Sequence, residues 1–440
     1  MLKRFSLTAL VRILGAGANL VLMLAITWLT GAVEAGIFLF GYSIMTILAT
    51  VSRLGSELSG LREVAALHDS GTPEQVSRAV RVRIILTTAL SISFAGLFAL
   101  VFAPFAEARF GGDHTSTSIV LLGLGLPALA LLGLFTEFLK AVDRATIAVL
   151  YQNTTVPGFT VVGLGAAALV QPVGASATAA AMLIATWITL GLAALTFLKW
   201  WRTQPIQLGT VERSVVMGDF IQILRDAPAL VVVSSTSIIM QWIGSVLLGF
   251  LADARHVAGF SVAVRLSITV SIVNSAVISV MSPRMAAAHS AGNIAVLRRL
   301  AQQTSLVIMA ITAPVLLSIY AFAGFWLSFF GPDFASYAAE LRVLVLGQVI
   351  AAAIGHSGTV LVMANLYREA RFTSIVASLS LVATMLFAIP FFGTLGASAA
   401  LSFAVVAGHL AGVILTRRNL NFWTVPTEYG DVLYAIRGSS

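Results

Sequence analysis

The feature that most restricts this chain is a succession of apolar runs, each about twenty residues long, parted by short charged or Pro/Gly-bearing breaks. Wound as a helix at 1.5 Å per residue, such a run spans roughly 30 Å, the thickness of bilayer hydrocarbon. Within hydrocarbon every backbone amide must be paired inside its own segment, so the runs dictate helices. They are expected near residues 7–31, 35–54, 83–104, 117–139, 145–170, 176–199, 228–252, 257–282, 303–328, 338–363, 371–391 and 396–416. The expected fold class is an all-α polytopic membrane protein: twelve transmembrane helices in two six-helix lobes. The first run follows Lys3 and Arg4 as a signal peptide would, but it is about twice the usual length and contains Arg12, so it reads as a retained span.

Composition agrees with that reading and removes whole classes of function. Only 10% of the 440 residues are charged, against roughly a quarter in a soluble domain, which excludes a water-soluble enzyme. Without cysteine there are no disulfides, thiolate metal sites or iron-sulfur clusters. The net charge of +8 is explained by location. With the N-terminus inside, 21 of the 26 Lys and Arg fall on inner segments, only Arg109, Arg255 and Arg342 on outer loops, and Arg12 and Arg265 within spans. This is the positive-inside bias, so the charge reports topology and no nucleic-acid partner is expected. Both termini are expected in the cytoplasm, with the spans in an inner membrane. The outer loops, about a dozen residues at most, leave no space for an outer domain.

The two halves of the sequence resemble one another at an offset of about 222 residues, counted from Gly174-Ala175-Ser176-Ala177 to Gly396-Ala397-Ser398-Ala399. Phe110-Gly111-Gly112-Asp113 recurs as Phe330-Gly331-Pro332-Asp333, residues 33–37 resemble 256–260, and Ala65-Ala66-Leu67-His68 resembles Ala286-Ala287-Ala288-His289. Six spans return a chain to its starting side, so the lobes are expected to run parallel, with a central cavity between them. The expected division is an N-lobe of residues 1–205, a cytoplasmic linker 206–227, a C-lobe 228–416 and a cytoplasmic tail 417–440. Within the linker, Val215, Val216, Phe220, Ile223 and Leu224 share one side of a short interfacial helix.

A charge inside a bilayer is costly unless it meets water, a partner or a substrate, so polar residues within spans are the site candidates. Arg265 lies deep in its span and is either a cavity cation for an anionic substrate or an ion-pair partner of an acid such as Asp253. Arg12 either contacts substrate or snorkels to inner headgroups. At the inner end of span two, Arg53, Glu57, Arg62 and Glu63 form either a salt-bridged mouth or an ordinary solvated loop, with Arg53 and Glu57 at helical pairing distance. Gln241 and Asn274 are mid-span amides suited to sugar hydroxyls or to holding helices together. Gln348 and His356, eight residues apart, are expected on one helix face, with His356 either a proton shuttle or a packing residue. Glu137 and Lys140 are expected to pair, and Gly408 with Gly412 to mark tight packing inside the bundle.

No GxxxxGK[ST], dinucleotide loop, HExxH or GxSxG is present, so neither ATP hydrolysis nor a cofactor is expected. The residues Leu247-Leu248-Gly249, Val257-Ala258-Gly259-Phe260, Ala263, Arg265 and Pro283-Arg284 resemble the bacterial polysaccharide-biosynthesis flippases. Those flippases belong to the multidrug, oligosaccharidyl-lipid and polysaccharide (MOP) exporter superfamily. Similar stretches are Glu34-Ala35-Gly36-Ile37-Phe38, Phe330-Gly331-Pro332-Asp333-Phe334 and Leu346-Gly347-Gln348 to Gly355, so the likeness covers nearly the whole chain. One departure is Thr30-Gly31-Ala32-Val33-Glu34, where the family usually carries Leu-Gly-Pro-Glu.

The resemblance implies a V-shaped two-lobe exporter moving undecaprenyl-diphosphate-linked sugars by alternating access. Arg265, Arg12 and Arg53 would meet the phosphates, and Gln241, Asn274 and Trp242 the sugars, with Glu57, Arg62, Gln348 and His356 left for gating or coupling. Expected partners are the lipid-linked oligosaccharide, membrane lipids, and a polysaccharide polymerase with other assembly proteins. The alternatives are a cation-coupled drug exporter of the same superfamily, which would favour an acid where span one offers only Arg12, and a peptidoglycan-precursor flippase, a branch that usually has fourteen spans. A membrane glycan polymerase would need a large outer loop.

Overall fold

A computed structural model describes residues 2–56, 59–61, 63–65, 73–112, 114–202, 220, 223, 225, 227, 231 and 238–425. Among them the protein is helical throughout. In chain order the helices are α1 (Leu2–Val51), α2 (Pro73–Phe110), α3 (Thr115–Ala141), α4 (Ala145–Leu150), a π-helical turn (Tyr151–Thr155) and α5 (Val156–Ala168). They continue with α6 (Ala175–Arg202), α7 (Ile238–Leu251), α8 (Ala254–Ser267), α9 (Ser271–Ser290) and α10 (Ile294–Ala321). After α11 (Ala323–Ser328) and a 3-10 turn (Pro332–Tyr337) come α12 (Ala338–Ile354), α13 (Ser357–Met363) and α14 (Tyr367–Leu420). Helices α1 and α14 each consist of two arms, because the backbone leaves helical geometry at Gly31 (φ 75°) and at Gly393 (φ 56°).

Seven of these helices are long and apolar enough to cross a bilayer. The outward-facing side chains agree: Leu100, Leu169 and Phe391 are 78%, 89% and 71% exposed, an arrangement that only a lipid solvent tolerates on this scale. The protein is a multi-pass membrane protein. The chain divides into two compact units, residues 1–259 and 260–440.

In unit one, α3 is the central element. It presents Ile119, Leu122, Leu126, Leu134 and Phe138 to its neighbours and packs against α2 and α6. Helix approach is set by small residues: Gly123 lies against Phe98, and Gly163 against Ala181. From the linker, Phe220 and Ile223 pack with Val82, Leu86 and Leu54; Val215, Val216 and Leu224 lie outside the described residues. In unit two, α12 packs on α14 and α10. Gly347 faces Ser402, Gly408 faces Ala377 and Gly412 faces Ser357, so the Gly408/Gly412 pair does mark internal packing. Beyond α14 the chain turns back at Asn421 and buries Phe422 among Met285, Leu297, Ala301 and Val360.

The internal repeat is visible in backbone geometry. Gly111 (φ 68°) and Gly331 (φ 126°) occupy corresponding turns, one in each unit, in a conformation that disfavours any residue with a Cβ.

Candidate functional site

Unit one holds a polar group that the apolar run around it makes conspicuous. Tyr151-Gln152-Asn153-Thr154-Thr155 forms the π-helical turn between α4 and α5, and Thr155 Oγ1 donates to Leu150 O five residues back. Pro157 has no N–H to offer the Asn153 carbonyl four residues earlier, so the ordinary α-helical bond to that oxygen is absent. Asn19 of α1 supplies a bond instead: its Nδ2 donates to Asn153 O at 3.0 Å and to Gly15 O at 2.9 Å. The approach is close because residue 15 is glycine; a Cβ there would lie 2.7 Å from Asn153 Cβ. Tyr151 Oη and Thr196 Oγ1 are 2.9 Å apart, Lys140 Nζ donates to Glu137 Oε1 at 2.6 Å and to Gln152 Oε1 at 3.0 Å, and Thr154 Oγ1 is buried with no hydrogen-bond partner among the described residues. The expected Glu137–Lys140 pair is therefore present. Arg12 lies one turn before Gly15, exposed beside Leu10, Ile13 and Leu14.

Arg53 sits in the turn after α1. Its Nη2 donates to Thr50 Oγ1 at 3.1 Å, and its guanidinium lies where a Cβ on Gly133 would be. Glu57 and Arg62 lie outside the described residues. Nearby in sequence, Glu63 accepts from Arg83 Nη2 at 2.5 Å, and Arg83, 5% exposed, also donates to Ala79 O at 3.0 Å. Arg83 entered the sequence reading only as an inner-loop positive charge. Its burial depends on which side of α2 meets Phe138 and Gly60.

On α7, Gln241 is half-buried. Trp242, 7% exposed, packs perpendicular to Tyr42, ring centroids 5.1 Å apart. The same end of unit one gathers Phe40, Phe105, Phe110 and Phe250, with Gly249 against Phe40 and Gly36 against Ala254. Arg109 donates to Ala252 O at 3.1 Å and lies 3.9 Å from Asp253, the acid weighed above for Arg265.

In unit two the expected eighth span is interrupted. After Arg265, half-buried in the last turns of α8, residues 268–270 form a turn, and α9 restarts at Ser271. Thr269 Oγ1 donates to Arg265 O at 3.0 Å. Asn274, in the first turn of α9, has a buried Oδ1 without a hydrogen-bond partner among the described residues. Arg265 and Asn274 thus flank the break between α8 and α9. The expected shared face of Gln348 and His356 is also corrected. Helix α12 ends at Ile354, Gly355 adopts φ 95°, and His356 caps α13, so no helical register links the two residues. His356 instead meets His409 of α14, ring centroids 6.1 Å apart.

Two residue sets escaped the sequence reading, the polar turn 151–155 and His409. Five consecutive polar residues inside span five were a readable signal for the first. The second had no local signal.

This helical arrangement is that of a known class. It matches the inward-facing conformation of a multidrug resistance MATE family transporter of the MOP superfamily (17% identity, 94% of this chain, 98% of that one, TM-score 0.71). The outward-facing conformation of such a transporter matches at 16% identity, with 95% of each chain covered and a TM-score of 0.64. A MOP superfamily transporter from Pyrococcus furiosus, described as having a binding pocket of reversed polarity, matches at 16% identity and a TM-score of 0.63, again over 95% of each chain. The fold is therefore that of the MOP-superfamily transporters. The model of the polysaccharide biosynthesis protein family matches residues 1–289, and the chain belongs to that family. No curated protein matches it.

Proposed function

We propose that the protein moves oligosaccharide units linked to undecaprenyl diphosphate from the inner to the outer leaflet of the bacterial inner membrane, by alternating access between lobes 1–205 and 228–416, with both termini in the cytoplasm. The observation that carries the reading is that each unit departs from regular α-helix near a side-chain amide, with an arginine on the same or the preceding helix. In unit one Asn19 bonds the π turn and Arg12 lies two turns earlier on α1, and in unit two Arg265 and Asn274 bracket the 268–270 break. Guanidinium groups suit a diphosphate, and a side-chain amide with a free acceptor, as at Asn274 Oδ1 among the described residues, suits sugar hydroxyls. Arg53 offers a further cation.

Membership of a polysaccharide biosynthesis family favours a glycan cargo over a drug. The membrane potential assists an anion leaving a negative interior by about 2.3 kcal/mol per charge per 100 mV, so no nucleotide-hydrolysing partner is required. A polysaccharide polymerase acting on the delivered units is the expected neighbour in the membrane. The test is loss of the gene in its host: surface glycan should disappear while lipid-linked precursor accumulates on the inner leaflet. Unchanged glycan together with energy-dependent efflux of a cationic dye by purified protein in liposomes would replace this reading with the drug exporter.

A further inference from the structure

The two halves of the chain set the same glycine in two different backbones. Gly125, Gly133 and Asp143 of unit one recur as Gly347, Gly355 and Asn365 of unit two, each at the offset that relates the two GASA motifs. Asp143 and Asn365 share one conformation, φ 59° and 60°, so the copies stay in register to that point. Gly133 lies inside α3, which runs unbroken from Thr115 to Ala141. Gly355 instead takes φ 95° and ends α12, and the chain restarts as the seven-residue α13. Glycine enters either conformation without a Cβ penalty. One element of the fold is thus a continuous helix in one copy and a broken helix in the other.

The break is held by a short segment that follows α14. Asn421, φ 59°, turns the chain back, and residues 422–425 then reach both ends of α13. At one end Thr424 Oγ1 donates to Ile354 O at 3.3 Å, a carbonyl that a continuous helix would give to the Gly358 amide. There too a Cβ on Gly355 would lie 2.6 Å from Ser305 Oγ of α10 and 3.2 Å from Thr424 O. At the other end Phe422 packs with Val360 and Met363 of α13, together with Met285, Leu297 and Ala301. Gln302 Nε2 of α10 donates to Trp423 O at 3.1 Å and to Val425 O at 3.3 Å. Phe422 and Thr424 are buried while Trp423 between them is 45% exposed, the alternation of an extended strip with one side set into the bundle. One ring and a few long hydrogen bonds make a segment that can open locally while the helices around it stay folded.

We propose that α12 and α13 form a two-state element: broken while residues 422–425 are seated, and continuous, as α3 is, when that strap lifts away. The strap thereby sets the shape of this end of unit two, and the inference stands whatever the protein carries.

The signature lies in the amides of His356, Ser357 and Gly358. At the start of α13 they have no helical carbonyl four residues back, whereas a continuous helix gives them those of Ala352, Ala353 and Ile354. In full-length protein in lipid nanodiscs, hydrogen–deuterium exchange read on overlapping peptides across residues 350–366 should show these amides exchanging about tenfold more slowly in Phe422→Ala than in the wild type. A strap that merely adds packing gives the opposite, so faster or unchanged exchange at these amides overturns the proposal. The chain has no native cysteine, so Ser305→Cys with Thr424→Cys can tie the strap down in the Phe422→Ala protein. With the crosslink verified by mass, exchange should return to the wild-type rate when oxidised and slow again on reduction; slow exchange in the oxidised form also overturns the proposal. Should Phe422→Ala fold poorly, Gln302→Ala with Thr424→Ala removes the polar seat while keeping the ring, and the same slowing is expected.

Discussion

Replacing Gly15 by alanine tests whether α1 is seated on the polar turn of unit one. The added methyl would lie 2.7 Å from Asn153 Cβ and 3.2 Å from Thr154 Oγ1, whereas relaxed carbon contacts sit near 3.5–4.0 Å, so the helices must part by about 1 Å. That movement would stretch the 3.0 Å bond from Asn19 Nδ2 to Asn153 O to about 4 Å, beyond hydrogen-bonding range. The structure has two responses. If the helices hold, overpacking costs about 1–3 kcal/mol. Should they separate, the Asn153 carbonyl loses the bond from Asn19, at about 0.5–1.5 kcal/mol. Gly17, two residues on, has nothing within 4 Å of a built Cβ, so Gly17→Ala should cost nothing.

The measurement is thermal unfolding of purified protein for Gly15→Ala, Asn19→Ala and the double variant, with Gly17→Ala as control. If both single changes break the same bond, the double variant should lose little more than the worse single one, a departure from additivity expected only for residues in contact. Strictly additive losses, or a Gly15→Ala protein that melts with the Gly17→Ala control, would refute the argument.

Three further outcomes are expected. Arg265→Ala should abolish surface glycan and leave precursor at the inner face, with Arg265→Lys restoring part of the export if bidentate contact is dispensable; wild-type glycan levels in the alanine variant at matched expression remove Arg265 from the site. Glu63→Gln should lower the melting temperature in detergent more than Arg83→Leu, because it leaves the Arg83 guanidinium, 5% exposed, without its carboxylate, whereas Arg83→Leu leaves only Glu63, 47% exposed, to water; an unchanged melt for Glu63→Gln would mean that the pair is solvated. Gly412→Ala would place a methyl 2.2 Å from Ser357 Oγ and should reduce the level of protein in the membrane, with Ser357→Gly added to it restoring that level on an immunoblot; absence of rescue would locate the fault elsewhere.

Much of the site was readable only at the level of candidates. The Glu137–Lys140 pair followed from three-residue spacing, and the turn glycines Gly111 and Gly331 followed from the repeat. Trp242 could not be placed, because an aromatic on an apolar helix looks the same whether it meets Tyr42 or a sugar. The shared face assigned to Gln348 and His356 assumed an unbroken helix. Gly355 ended it, in concert with Ser305 and Thr424, which lie about fifty and seventy residues away in sequence. Asp253, weighed as a partner for Arg265, lies beside Arg109, whose distance from it in sequence gave no hint of the contact.

The sequence alone determined that this chain is helical, lives in a bilayer and repeats itself, because hydrocarbon forces local hydrogen bonding and span length and polarity are therefore local properties. Tertiary structure decided where helices stop short inside the membrane and which polar groups then face one another. A carbonyl freed by a proline or a glycine break is met here from a distant stretch of chain, and no window of the sequence contains both.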